Sequence, residues 1–160
     1  NLLEEAVAAA KGEPQERAEE RPVIVELTLD AYLPPGYVMD EIERVDLYRR
    51  ASGLRSLAEV EDLVEELVDR FGELPEPSRN LLGLSRVKIL ARQSGASSVT
   101  FRSGNLTVTG ATAGSAAAAF IRRATGGTVT TRTGRISVRA DEQDPLTLAE
   151  ETLRALIRSR

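Results

Sequence analysis

The sequence predicts an α+β fold, and three observations carry that prediction. A β-branched apolar run, VIVELTL (Val23 to Leu29), precedes three consecutive helical patterns. Two later stretches, SVTFRSGNLTVTG and GGTVTTRTGRISVRA, alternate about glycine turns as β-hairpins do. One further helix lies between those hairpins and another follows them. The expected order is therefore an N-terminal strand and helices, followed by two β-hairpins with an intervening and a terminal helix. Helices grouped together, rather than alternating with strands, favour α+β over a doubly wound parallel sheet.

Each element has a local reason. Leu2 to Lys11 is a short helical pattern broken by Gly12 and Pro14, and GEPQERAEERP after it is charged and almost free of large apolar residues. Residues 1–22 are accordingly expected to be the end of a preceding region plus a flexible linker, with the folded domain spanning 23–160. LPPG (Leu33 to Gly36) is turn chemistry. Asp40 caps a helix running through Ile42, Val45, Leu47 and Tyr48 to Ala51, with Gly53 as its stop. Ser56 and Glu59 have the spacing of a capping box. Val60, Leu63, Val64, Leu67, Val68 and Phe71 then make one apolar stripe at helical period, ended by Gly72. Pro77 suits the first turn of a third helix carrying Leu81, Leu84, Val87 and Ala91 to Gly95. The first hairpin should turn at Gly104-Asn105 and the second near Gly134, with an Ala-rich helix from Ala113 to Ala124 between them. Asp144 and Pro145 open the last helix, whose apolar side is Leu146, Ala149, Leu153 and Leu156.

Composition narrows the chemistry. The 160 residues include no cysteine and no histidine, which removes thiolate nucleophiles, Cys/His zinc sites and imidazole acid–base catalysis together. No apolar run approaches the roughly 18–20 residues of a spanning helix. Neither GxxxxGK[ST] nor GxGxxG occurs; GATAG (Gly110 to Gly114) reads as a helix cap and turn, although a helix start there leaves an anion site conceivable. Lys11 and Lys88 are in no SxxK arrangement, so a Ser–Lys hydrolase is not supported. No DxDxDG loop marks a calcium site, and a metal enzyme using carboxylates has no motif behind it.

Two charged features remain. The net charge is −4, yet from Ala96 to Ala140 every charged residue is arginine: Arg102, Arg122, Arg123, Arg132, Arg135 and Arg139. These could contact nucleic-acid phosphates, or simply be a solvated surface; aromatic platforms for single strands are scarce. Glu59, Asp62, Glu66 and Asp69 fall opposite the apolar stripe of their helix, with Glu66–Arg70 an i,i+4 pair. Asp69 stands in the last turn, where a carboxylate opposes the helix dipole at a cost of about 0.3–1 kcal/mol that a partner's cation would offset.

The block YVMDEIERVDLYRR (Tyr37 to Arg50) with LVEELVDRFGELPEPSRNLL (Leu63 to Leu82) resembles the C-terminal domain of the bacterial transcription-repair coupling factor (Mfd) family. DAYLPPGYV resembles the entry into that domain, and NLLEEAVAAAKGE the tail of the motor region before it; Val45 and Ala51 stand where larger aliphatic residues are common. The resemblance implies a parent that is an ATP-driven DNA translocase displacing stalled RNA polymerase, with ATP and magnesium held by motor domains outside this segment. It implies no cofactor and no catalysis here, and a bacterial, cytoplasmic setting. It further implies a regulatory clamp that docks on an N-terminal UvrB-like module and masks the surface recruiting UvrA, until polymerase and DNA release it. By position, Glu66 and Asp69 become the docking pair, flanked by Glu59, Asp62 and Arg70. The alternative is a nucleic-acid-contacting module using the arginine-bearing hairpins.

Overall fold

The computed structural model describes residues 22–160 except 112 and 115. The helix expected at Leu2 to Lys11 and the linker after it lie outside the described residues. The α+β order is observed: β1 (Ile24–Glu26), α1 (Glu41–Ser52), α2 (Leu57–Phe71), α3 (Glu76–Ser94), β2 (Ser98–Arg102), β3 (Asn105–Thr109), α4 (Ala117–Thr125), β4 (Thr128–Arg132), β5 (Arg135–Arg139) and α5 (Pro145–Arg158). The strands form one sheet in the order β1-β2-β3-β5-β4. Only β1 and β2 are parallel, and the chain between them runs through α1, α2 and α3. A parallel neighbour cannot be reached by a tight turn, so a helical crossover is required.

The caps written in the sequence are made. Asp40 Oδ1 accepts from the Ile42 amide at 2.9 Å. Ser56 Oγ accepts from the Glu59 amide at 3.1 Å, while Glu59 Oε1 accepts from the Ser56 and Arg55 amides at 3.2 and 2.7 Å. Asp144 accepts from the amide and the hydroxyl of Thr147 at 2.9 and 2.7 Å. The first hairpin turns at Ser103-Gly104, one residue earlier than the sequence suggested, because Arg102 pairs with Asn105. Both turn residues have positive φ, 51° and 80°, as a two-residue turn matching strand twist demands.

Two elements are shorter than expected. The strand drawn from Val23 to Leu29 pairs only over Ile24–Glu26. Beyond it the backbone turns to the start of α3: Tyr32 N donates to Pro77 O at 3.1 Å, Ser78 Oγ to Tyr32 O at 3.0 Å, and Asn80 Nδ2 to Asp30 O at 2.8 Å. Those bonds replace a sheet ladder. The helix expected from Ala113 begins at Ala117, since the glycine segment before it joins the neighbouring turn, Gly110 N donating to Gly134 O at 2.8 Å.

Helix α3 is shared between two cores. On one side Val87, Leu90 and Ala91 pack with Val99, Leu106, Val108, Ile136 and Val138 of the sheet, Ile121 of α4, and Leu148, Leu153 and Leu156 of α5. On the other, Leu82 and Ile89 pack with Leu33, Val38, Leu47, Val60, Leu63, Leu67 and Leu74. Helix α5 lies between α3 and α4, so it buries Leu148, Thr152 and Ala155 beyond the expected stripe, while Leu146 stays half-buried.

Candidate functional site: an acidic helix pair and a basic sheet face

The α1–α2 pair is held by a charge bracket centred on Glu66. Arg50 Nη1 and Nη2 donate to Glu66 Oε2 and Oε1 at 2.8 and 2.7 Å. Arg70 Nη1 donates to Glu66 Oε2 at 3.0 Å, and the same guanidinium pairs with Glu43. The hydrogen bonds from Arg50, then the cost of partial burial working against them, then the bond from Arg70 together hold the Glu66 carboxyl at about 2, below its ordinary 4.5. Arg50 is raised for the reciprocal reason, led by its bond to Glu66. The i,i+4 pair expected between Glu66 and Arg70 is thus present, but inside a larger network.

The four carboxylates expected on one face have different occupations. Glu59 is consumed as the α2 cap, and Glu66 is neutralised by two arginines. Asp62 and Asp69 are exposed, and among the described residues neither has a cation within 4 Å. Asp69 alone of the proposed docking pair is therefore available without breaking an existing contact.

Sequence reasoning missed the apolar residues beside them. Met39 and Ile42 are 82% and 81% exposed, and Val45 is 53% exposed. Val68, placed in the core stripe of α2 by its spacing, is 43% exposed. A signal existed in α1: Ile42 and Val45 are three apart, Leu47 and Ala51 four apart, and the two sets fall on different sides of a helix. Only Leu47 and Ala51 face the core. Tyr37 closes the top of the pair, its hydroxyl donating to Leu67 O and Gly72 O at 3.2 and 2.7 Å. Tyr48 lies lower, accepting from the Leu33 amide at 2.7 Å.

The six arginines between Ala96 and Ala140 do not form one group. The apolar residues that pack on the helices all come from one face of the sheet. Register places the alternate residues on the other face in three rows: Ile24, Ser98, Thr109, Arg135 and Arg132; Glu26, Thr100, Thr107, Ser137 and Thr130; and Arg102, Asn105, Arg139 and Thr128. None of these residues is fully buried. Arg102, Arg132, Arg135 and Arg139 thus share the open face, whereas Arg122 and Arg123 are exposed in the last turn of α4, in the helical layer. At one end of the sheet Arg132 and Arg135 line a cleft of about 710 Å³ with Gly110, Gly114 and Ala118. Among the described residues no helix is long and apolar enough to cross a membrane.

Residues 27–119 match the family model of the TRCF domain. Over 94 residues the chain is 44% identical to the transcription-repair-coupling factor of Mycobacterium bovis, covering 58% of this chain. Over 92 residues it is 32% identical to that of Bacillus subtilis, again covering 58% of the chain. The matched stretch is 8% of each of these longer proteins. In three dimensions the chain is similar to a crystal structure of the C-terminal domain of transcription-repair coupling factor, with a TM-score of 0.71 at 21% identity, covering 87% of this chain and 96% of that one.

Proposed function

This chain belongs to the TRCF domain family, and from that premise we propose that it is a non-catalytic regulatory domain of a transcription-repair coupling translocase. In this reading it docks on an N-terminal UvrB-like module of the same protein and covers the surface that recruits UvrA. Engagement of RNA polymerase and DNA by the parent releases it. The observation that supports docking by this domain is the free side of α1, where Ile42 and Val45 stand exposed, with Met39 exposed just before the helix cap, on the same helix pair as the unpaired Asp69. Exposed apolar side chains rimmed by charge are the usual composition of a protein contact.

The chemistry divides accordingly. The Arg50–Glu66–Arg70–Glu43 bracket fixes the α1–α2 angle, so the contact surface is preorganised. Asp69 supplies an acceptor for a basic side chain of the partner, and the apolar ridge supplies the buried area. A coupling of about 1–3 kcal/mol is enough to hold a masked state that a partner can still open.

The test is capture of UvrA by the full-length protein. Asp69→Ala, and separately Met39→Ser with Ile42→Ser, should raise capture. Glu66→Ala serves as the comparison, because it also frees Arg50 and Arg70 and so disturbs the bracket itself. Unchanged capture with the Asp69 and ridge variants, all folded, would remove the docking role from this face.

A further inference from the structure

We infer that the open face of the sheet binds the phosphate backbone of a nucleic-acid duplex, without reading its sequence. This surface is distinct from the α1–α2 face, and the inference does not rest on the docking proposal. Its first basis is charge. Between Pro77 and Ala140 the chain has no Asp or Glu at all, whereas 14 of the acidic residues lie between Glu26 and Glu76. The helices α1 and α2 that hold most of those acids pack on the side of α3 away from the sheet core. A polyanion approaching the molecule is therefore repelled by one side and attracted by the other.

The second basis is the composition of the face. Four arginines are set among Ser98, Thr100, Thr107, Thr109, Ser137, Thr128, Thr130 and Asn105, with Glu26 at the β1 edge the one carboxylate in the rows. Guanidinium, hydroxyl and amide donors are the groups that bind phosphate oxygens. Arg132 and Arg135 have no carboxylate within 4 Å among the described residues. Arg102 and Arg139 have only long pairs, 3.7 Å to Glu26 and 3.8 Å to Asp141, with acids that are themselves well exposed. Such pairs are weak enough for a phosphate to displace. Arg139 is also aimed, its Nη1 donating to Ser103 O at 3.0 Å.

Geometry sets the kind of ligand. Arg135 and Arg139 are four residues apart on one strand, which is about 13 Å, and Arg102 lies two strands from Arg139, about 10 Å away. That spread spans several phosphates of one duplex. Among the described residues the face is a sheet surface with no element protruding to enter a groove, so base edges stay out of reach and specificity is absent. No aromatic ring points from it, since Phe101 packs with the core, which disfavours single strands held by stacking.

The experiment is fluorescence anisotropy of the 160-residue chain with a labelled random-sequence duplex of about 24 base pairs, between about 25 and 200 mM salt. Binding should weaken with salt, with a log–log slope between about −2 and −3.6, the upper figure being four phosphate contacts. Arg132→Ser with Arg135→Ser should lower affinity at the low-salt end about tenfold and make the slope shallower by about 2. Arg122→Ser with Arg123→Ser removes the same charge from the helical layer and should leave both within about twofold. Substitutions at exposed positions preserve the fold, and circular dichroism of each variant checks it. No binding at the lowest salt, or equal losses in the two double variants, overturns the inference. Displacement of the duplex by polyglutamate as readily as by unlabelled duplex overturns it in favour of an acidic protein partner.

Discussion

Glu66 is a carboxylate whose proton affinity is set by two arginines, and this gives it a definite dependence on pH. Its folded-state value near 2 lies below the ordinary 4.5, so its contribution to stability is complete above about pH 5 and is lost as pH falls toward 2. The side chain is still 35% exposed, and solvent screening reduces the expected contribution to about 1 kcal/mol. Urea denaturation of wild type and Glu66→Gln at about pH 7 and pH 3 should therefore give a difference that shrinks by roughly 0.6 kcal/mol at the lower pH, the remainder being lost only near pH 2. A difference independent of pH would remove the bracket from the stability of the helix pair. A second residue-scale expectation concerns Gly110, which has φ 93° and would place a Cβ 2.7 Å from Ser97 Oγ and 2.9 Å from Ser97 N. Gly110→Ala should cost about 2 kcal/mol, read from thermal melting, because both conformation and space oppose it.

Among the elements, α1 is the one with two characters. Leu47→Ala should cost about 2–4 kcal/mol by opening a cavity in the smaller core, whereas Ile42→Ser should change stability by less than about 0.5 kcal/mol. Equal losses in urea titrations would mean that the outer side of α1 is part of the core. This helix also shows where the sequence was readable. Caps and stops were legible because they depend on a few neighbouring residues: Asp40, Ser56 with Glu59, and Asp144 all bond as their spacing implied. The hairpins were legible for the same reason, with a slip of one residue at Ser103 because a non-glycine residue there adopts positive φ. Strand β1 was overdrawn because its apolar run continues past Glu26, while the competing bonds to Pro77 and Ser78 come from residues about 50 positions away. The acidic stripe of α2 was legible as spacing only. Nothing local announced that Arg50, from another helix, would take Glu66 and leave Asp69 free.

At the scale of the whole molecule, α3 joins two cores that would otherwise be separate small units. Each alone is little for a stable fold, so their unfolding should be coupled through this helix. Leu82→Ala, which touches only the smaller core, is expected to cost about 2–4 kcal/mol and to lower hydrogen-exchange protection in β3 and β5 by a matching factor. Protection lost only in α1 and α2 would show two independent foldons instead. The partition of charge follows the same division, with acids on the α1–α2 side and arginines on the sheet. So does the partition of chromophores. All three tyrosines, Tyr32, Tyr37 and Tyr48, precede α2, and the chain has no tryptophan. Emission excited at tyrosine absorption, beyond that of phenylalanine, therefore originates at the helical end, and the sheet contributes none of it. A partner seating on α1 should alter that emission through Tyr48, which is partly exposed, while a duplex lying across the arginine face should leave it nearly unchanged after absorbance correction.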